Sequence, residues 1–476
     1  IFLAAFAVNA GILAVLAVCG GTTGLSAAWT AVTDTTVGVS AVLSIGCAVS
    51  ILAAIVCYSW LEALKRHARS IITATLLGSA WLQAISGLVL LVAYASLGGL
   101  ALLLSAAMTV CYYHYVKSRI PFASECLAIA SAILNASPLV TGVAFGLAVV
   151  QVVWVALWVA AAGGLYTLLY GVEVPPGDIT PSFTGGDQQG RIAPTHGVGW
   201  QAGATNDFGP AANTAWFFMV FSLYWGISAI RGVAMATVAG VSGWWWYHSD
   251  RLNPIRKSFT RAVTTSFGSI AFGSAVVALV ETLRWAVRRA RRRQQVDTAA
   301  QALGATLPGR AANLMSFGGG QFGGFMNHLA GCLLNLLKRL VEYVTTYAYV
   351  RVAVWGEDFA TAGRAVLDLF KQRGWAVYLN DRLVQRVLLL AVLVSAAFGG
   401  AFGVWFVHKP EAAAASGAVA ALIATVFAAI ITGVVQGAVS AVYVLFASDP
   451  EALSVSHPEA FKALLKAFDS RDGGAV

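Results

Sequence analysis

Two tryptophans four residues apart, Trp154 and Trp158, fall on one face of any helix that carries them. Tyr224 and Trp225 lie deep in a second apolar run with Trp216 and Phe217, and Phe217 to Tyr224 is about two helical turns. Trp81 is a third source of an aromatic face. Such rings can hold a positive guest. A quaternary ammonium donates no hydrogen bond, so a site recognises it with ring faces, each contributing on the order of 2 kcal/mol when desolvated, and with a carboxylate. Glu281 supplies the carboxylate. An ionisable residue at a helix centre costs about 2.5–3.5 kcal/mol on insertion scales, so Glu281 and Arg231 each need a reason to be there. For Glu281 the readings are counter-charge for a cation, proton coupler, or ion-pair partner of Arg284 three residues on. Arg231 can pair with Glu281, face a water-filled cavity or snorkel. The plainer reading of every ring is packing, and Trp and Tyr also gather at membrane interfaces. Trp244-Trp245-Trp246-Tyr247, beside His248 and Asp250, reads as such a belt.

The elements that must position these residues are set by solvent. Of 476 residues, 58% are hydrophobic and 11% charged, and mean hydropathy is +0.75. A soluble domain carries roughly 25% charged residues, so this chain could not cover its own surface in water. The unit is the spanning helix of about 20 apolar residues. Runs at Ile1–Cys19, Gly38–Leu64, Ile71–Ala95, Leu97–Val116, Leu139–Leu169, Asn213–Tyr247, Val384–Val407 and Gly417–Phe446 read as eight crossings. Ser266–Val287 and Leu333–Val350 bring the number to about ten if both cross. The fold class is therefore all-α and polytopic. Four regions follow: N-terminal transmembrane helices (1–170), an extracytoplasmic loop (171–211), a C-terminal transmembrane region with basic and amphipathic cytoplasmic segments (212–447) and a cytoplasmic tail (448–476). The chain opens on Ile1-Phe2-Leu3 and is already apolar, as expected of a start part-way into a first helix.

Charge supplies the topology. Lys65-Arg66-His67-Ala68-Arg69 and the Lys117/Arg119 pair fall on one side, which the positive-inside rule assigns to the cytoplasm. The arginines after Ser266–Val287 conflict with strict alternation, which leaves a re-entrant segment or an override of the charge rule open. Arg288, Arg289, Arg291, Arg292 and Arg293 are placed to bind anionic lipid headgroups, each basic residue contributing about 1 kcal/mol near such a surface. Leu333–Val350 contains Lys338, Arg339 and Glu342, and so suits the interface as well as a crossing. Ser124–Ala136 reads as a helix near the inner interface, and Ala360–Asp381 as an amphipathic cytoplasmic helix. The net charge of +9 flanks apolar runs, and no aromatic stacking motif accompanies it, which argues against a nucleic-acid partner. The six cysteines form no CxxC and read as small core residues.

Three blocks carry a resemblance. The first is Ser266-Phe267-Gly268-Ser269-Ile270-Ala271-Phe272-Gly273-Ser274 with Ala278-Leu279-Val280-Glu281-Thr282-Leu283-Arg284. The second is Tyr347-Ala348-Tyr349, then Val352-Ala353-Val354-Trp355-Gly356 and Leu379-Asn380-Asp381. The third is Ser448-Asp449-Pro450-Glu451-Ala452-Leu453 with His457-Pro458. In this order and spacing they resemble the choline transporter-like family (solute carrier family 44 type), especially its fungal and plant branch. Arg119-Ile120, Glu125-Cys126-Leu127 and Ala130-Ser131 are compatible with it. The resemblance implies a carrier for choline or a related small organic cation, working by alternating access in the plasma membrane or, second, an internal organelle membrane. The rival reading is a non-transporting accessory subunit of a larger membrane complex, with membrane-protein partners. Gly318–Gly324 lacks the Lys-Ser/Thr of a P-loop, there is no HExxH, and no catalytic set converges by spacing. The sequence thus points to no catalytic residue, no metal ligand and no cofactor.

Overall fold

The computed structural model describes residues 2–19, 39–94, 97–170, 210–248, 254–304, 320–373, 376–406 and 410–472. Among these every regular element is helical. In chain order they are α1 (Phe2–Cys19), α2 (Val39–Tyr94), α3 (Leu97–Val116), a 3-10 turn (Lys117–Arg119), α4 (Ile120–Ala136), α5 (Leu139–Tyr170), α6 (Pro210–Tyr247) and α7 (Ile255–Val263). There follow α8 (Phe267–Gly304), α9 (Gly320–Trp355), α10 (Phe359–Arg373), α11 (Ala376–Phe406), α12 (Pro410–Ser448), α13 (Pro450–Ser456) and α14 (Pro458–Asp472). The extracytoplasmic loop expected at 171–211 lies almost entirely outside the described residues.

Seven described stretches are long and apolar enough to cross a bilayer: Arg66–Ala93, Gly98–Ala136, Leu139–Tyr166, Ala212–Tyr247, Phe267–Arg289, Leu383–Phe406 and Ser416–Ser448. Phe2–Val18 and Ala48–Leu64 are shorter apolar helices. Their outward faces are greasy: Leu82, Leu104 and Leu422 are each about two-thirds exposed or more. Such a surface would associate in water and is at rest in lipid. The backbone answer to lipid is also the expected one, since helices satisfy their own N–H and C=O groups.

Three segments differ from expectation or resolve it. The two spans flanking Lys65–Arg69 are two helices that meet within α2 at a kink at His67, where φ is −130° and ψ is 27°. One residue off the helical geometry is enough to redirect the chain, and Glu62 pairs with Arg66 across the preceding turn at 2.9 Å. α8 runs from Phe267 to Gly304 without a break, so the segment at Ser266–Val287 contains no re-entrant loop. The stretch at Ser124–Ala136, expected near the inner interface, is largely buried within the second unit. In α4, Phe122, Cys126, Leu127, Ala130 and Ile133 are buried, against α2, α12 and α14. Ser124 and Ser131 tolerate this because their hydroxyls donate to Pro121 and Leu127 carbonyls one turn back.

The chain divides into two compact units. The first is Ile1–Thr35, Val149–Gly232 and Phe267–Thr345; the second is Thr36–Ala148, Val233–Ser266 and Thr346–Val476. In the second, α11 and α12 pack through small residues. A side chain at Gly403 would put its Cβ 2.4 Å from the Ala420 Cβ, and Ser416 donates to the Gly403 carbonyl at 2.9 Å. Val49 and Ala53 of α2 close over Ala420 and Ala424. Lipid gives apolar helices no hydrophobic reason to associate, so this close backbone approach is what binds them. The C-terminal segment docks on α6: Trp246 donates its indole N–H to the Asp449 carbonyl, Ser456 donates to the Trp246 carbonyl, and His457 stacks on Trp245 with centroids 3.9 Å apart. α10 is amphipathic, with Ala362 and Val366 buried and Arg364, Asp368 and Lys371 exposed.

Two outcomes are expected. Gly403→Leu forces α11 from α12 and lowers stability by about 1–3 kcal/mol, read as a drop in unfolding temperature in detergent. Gly433→Leu, where nothing lies within 4 Å, leaves it unchanged. Burial pulls the His457 imidazole below its ordinary pKa, so the unfolded chain binds that proton more readily than the folded one. The contribution is intact above the ordinary histidine pKa and is lost as pH falls through and below it. Between pH 8 and 5, the unfolding temperature of His457→Phe should therefore fall less steeply than that of the wild type.

Candidate functional site

The first unit gathers rings from four helices. α5 presents Trp154 and Trp158, α6 presents Trp225, α8 presents Phe267 and α1 contributes Phe6. Trp154 and Trp225 are buried, 8% and 7% exposed. Phe6 lies between them, stacked on Trp154 (5.5 Å, 15°), edge-on to Trp225 (5.3 Å, 90°) and edge-on to Phe267 (5.5 Å, 76°). Leu13, Ala161, Ala162 and Met219 complete the buried cluster.

Hydrogen bonds orient these rings. Trp225 donates to the Ala271 carbonyl of α8 at 2.9 Å, and Trp158 donates to the Met219 carbonyl of α6 at 2.7 Å. Each anchors the indole edge and leaves the face for packing or for a cation. Trp154 reaches its position because residue 226 is glycine: a Cβ there would lie 1.9 Å from its ring. Among the described residues the Trp154 N–H has no acceptor. An unmet buried donor costs about 1–3 kcal/mol. Tyr224, on the neighbouring face of α6, is half-buried.

Glu281 is held elsewhere in this unit. Its carboxylate takes a bond from Arg284 at 2.9 Å and pairs with Lys338 of α9. Arg284 also donates twice to Asn335, at 2.7 and 3.0 Å, and Lys338 lies 3.4 Å from Glu342. Of the readings open for Glu281, the ion pair with Arg284 is present, extended by a second cation. Arg231 is exposed and is not a partner of Glu281. Trp81 belongs to the second unit and is 69% exposed, an outward ring rather than a member of this cluster. Of the arginine group, Arg288 is exposed and Arg289 lies over the Trp285 ring at 5.5 Å. The side chains of Arg291, Arg292 and Arg293 are outside the described set. Among the described residues no group of three or more His, Cys, Asp or Glu could hold a metal.

Phe6 and Gly226 are the members that sequence reasoning missed. Phe6 is one apolar residue among many in α1, and only tertiary packing singles it out. Gly226 follows Trp225 directly, but its partner Trp154 is far away in sequence.

What the helices and the ring cluster define is a multi-pass, all-α integral membrane protein with a buried aromatic centre. Residues 100–451 match the family model described as plasma-membrane choline transporter, and the chain belongs to that family. It is 23% identical over 420 residues to a CTL-like protein of Dictyostelium discoideum, covering 87% of this chain and 64% of that protein. It is 33% identical over 171 residues to the protein PNS1 of Mycosarcoma maydis, 36% of this chain and 28% of PNS1. With PNS1 of Gibberella zeae the identity is 25% over 262 residues, 53% of this chain and 45% of that protein. The chain thus spans less than two thirds of the length of each of these relatives.

Gly226→Ala should push Trp154 off α6, unstack Phe6 and lower the unfolding temperature in detergent. Adding Trp154→Leu, which removes the obstructing indole, should restore part of the loss.

Proposed function

We propose that this protein is a carrier of choline or a related small organic cation, in the plasma membrane as the family description suggests. It would work by alternating access, with the aromatic centre as the binding place. The observation that carries the reading is Phe6, stacked on the face of Trp154 and perpendicular to Trp225 in the first unit. A side chain that stacks on one indole and meets another edge-on occupies the volume that a quaternary ammonium would use. In this reading Phe6 withdraws when the cation enters, and the rings repack on it when the cation leaves. Trp158 and Tyr224 border the same region on the helices that carry the two indoles. Glu281, already neutralised by Arg284 and Lys338, acts at a distance by holding α8 against α9. Trp81 takes no part in this pocket. Arg288 and its neighbours contact anionic headgroups.

A second reading has an observation of its own. The rings fill one another's space, and a cavity of about 590 Å³ among the described residues is lined by other residues. A packed centre of this kind also suits an accessory subunit that keeps the family fold without carrying anything.

Uptake of labelled choline into proteoliposomes separates the two. Saturable uptake is expected, with Trp225→Ala raising KM by about 10–30-fold, the equivalent of about 2 kcal/mol for one ring. Trp81→Ala should behave as wild type. Absence of saturable flux for both choline and ethanolamine removes the substrate assignment and leaves the accessory role. Glu281→Gln leaves Lys338 with Glu342 and Arg284 with Asn335 alone, so it should cost about 1–3 kcal/mol of stability. A fall in unfolding temperature without a change in the KM of the remaining folded carrier places Glu281 in positioning rather than recognition.

A further inference from the structure

The second unit contains a cavity of about 590 Å³, a volume typical of small-molecule sites. It lies where α6 ends, between α7, the end of α9 and the start of α13. Its chemistry is mixed in a particular way. Trp244, Tyr247 and Trp355 provide rings, Lys257 and Arg261 provide positive charge, and Asp449 provides one negative charge. These residues are distinct from the ring cluster at Phe6, and the inference does not rest on the transport reading.

The charges are not cancelling one another. Asp449 accepts the Ala452 backbone N–H at 3.2 Å as the N-cap of α13, and Tyr247 lines the same cavity wall. That bond fixes the carboxylate at the cavity wall. Lys257 and Arg261 are one turn apart on α7, about 5–6 Å between Cβ atoms, and both are exposed. Among the described residues neither forms an ion pair with a carboxylate; the Lys257 ammonium lies over the Trp244 ring at 5.8 Å. Arg261 is held by shape. Gly356, at φ +75°, has the left-handed conformation that favours glycine, and a Cβ there would lie 2.5 Å from the Arg261 Nη2. The guanidinium is therefore seated against a bare backbone, with its donors left to a ligand.

Position agrees with charge. α13 packs on α14, and α14 touches the turn bearing Lys117 and Arg119, so the cavity opens at the end of this unit that the positive-inside rule gives to the cytoplasm. Two unpaired cations at one wall call for an anion, and phosphate takes both a lysine point charge and an arginine fork. A bare phosphate would leave the rings and Asp449 unused. We propose that this cavity binds a zwitterionic phosphate ester, with its phosphate between Lys257 and Arg261 and its cationic group against the aromatic wall and Asp449. The same chemistry comes from a soluble phosphocholine-type molecule or from the headgroup of a membrane phospholipid.

The test uses the full chain in maltoside micelles, which contain no phosphate. Phosphocholine, inorganic phosphate and dispersed phosphatidylcholine are titrated separately, read by unfolding temperature and by hydrogen exchange of Ile255–Val263. Phosphocholine or phosphatidylcholine should raise the unfolding temperature and protect α7. Effect of the soluble compound identifies a soluble ligand, and effect of the lipid alone identifies a headgroup site. Both K257Q and the K257Q/R261Q pair should weaken the effective ligand, the pair at least tenfold. D449N keeps a helix-capping side chain and should weaken phosphocholine or phosphatidylcholine while sparing inorganic phosphate. The proposal is overturned if neither phosphate ester protects the wild type, or if K257Q, which alters an exposed side chain, binds as well as wild type. Equal response to inorganic phosphate and the esters, unchanged by D449N, overturns the zwitterionic assignment.

Discussion

Hydrocarbon offers no hydrogen-bond partner, and in this protein nearly every local choice answers to that. A hydroxyl on a spanning helix turns back to the carbonyl one turn earlier, as Thr237, Ser242, Thr282 and Thr432 do. Gln83 of α2 is met by Ser105 of α3 at 3.0 Å. Trp158 and Trp225 use carbonyls already engaged in helices, which have a second lone pair to give. Because these donors are met inside the fold, the large side chains that bear them can be buried at all. The aromatic centre exists on that condition. Trp154 is the exception in its cluster, a buried indole without an acceptor, and such a donor has the most to gain from a rearrangement that brings one within reach.

Charge follows the same constraint with larger stakes. A lone carboxylate at the depth of Glu281 would be costly. The fold answers with two cations from two helices, and then occupies the surplus donors of Arg284 with Asn335. This compensation consumes the acid. A group already neutralised twice has little field left for a third cation, so in the proposed carrier the ring faces would do the recognising. In the second unit the balance is reversed. Lys257 and Arg261 line a cavity with Asp449, and among the described residues neither forms an ion pair. On the two proposals above, the two places would take guests of different charge.

How much of this the sequence contained depends on the range of the contact. Helices were legible because apolar length and charge poverty are local, and the clear spans lie where the composition changes. The end of one run at the basic cluster Lys65–Arg69 was legible too, and the chain kinks there at His67; the dihedral pair that makes the kink is invisible to hydropathy. The identity of α4 as core was also hidden, because burial on all sides and lipid exposure look alike in apolar residues. Trp154, Trp158, Tyr224 and Trp225 were recognisable by type and spacing. Their assembly was not, since it needs Phe6 from one end of the chain and a glycine at 226. Trp244 and Tyr247 were read as an interface belt. Their helix end is where such rings gather, and only the arrival of α7 and of Asp449 shows that they line a cavity.

The ring cluster and the compensated acid together bear on what a carrier needs. A pocket with an unpaired carboxylate in low dielectric would hold an organic cation tightly, because charge–charge attraction grows as water is excluded. Tight holding slows release, and a carrier turns over only when it lets go. Ring faces give a shallower attraction, on the order of 2 kcal/mol each, and a side chain such as Phe6 can replace the guest with similar packing. In the proposed carrier, competition between Phe6 and the cation for the same faces would bring the bound and empty states close in energy. Neutralising Glu281 internally would permit that balance, since an acid freed from Lys338 and Arg284 would tilt it toward permanent occupancy.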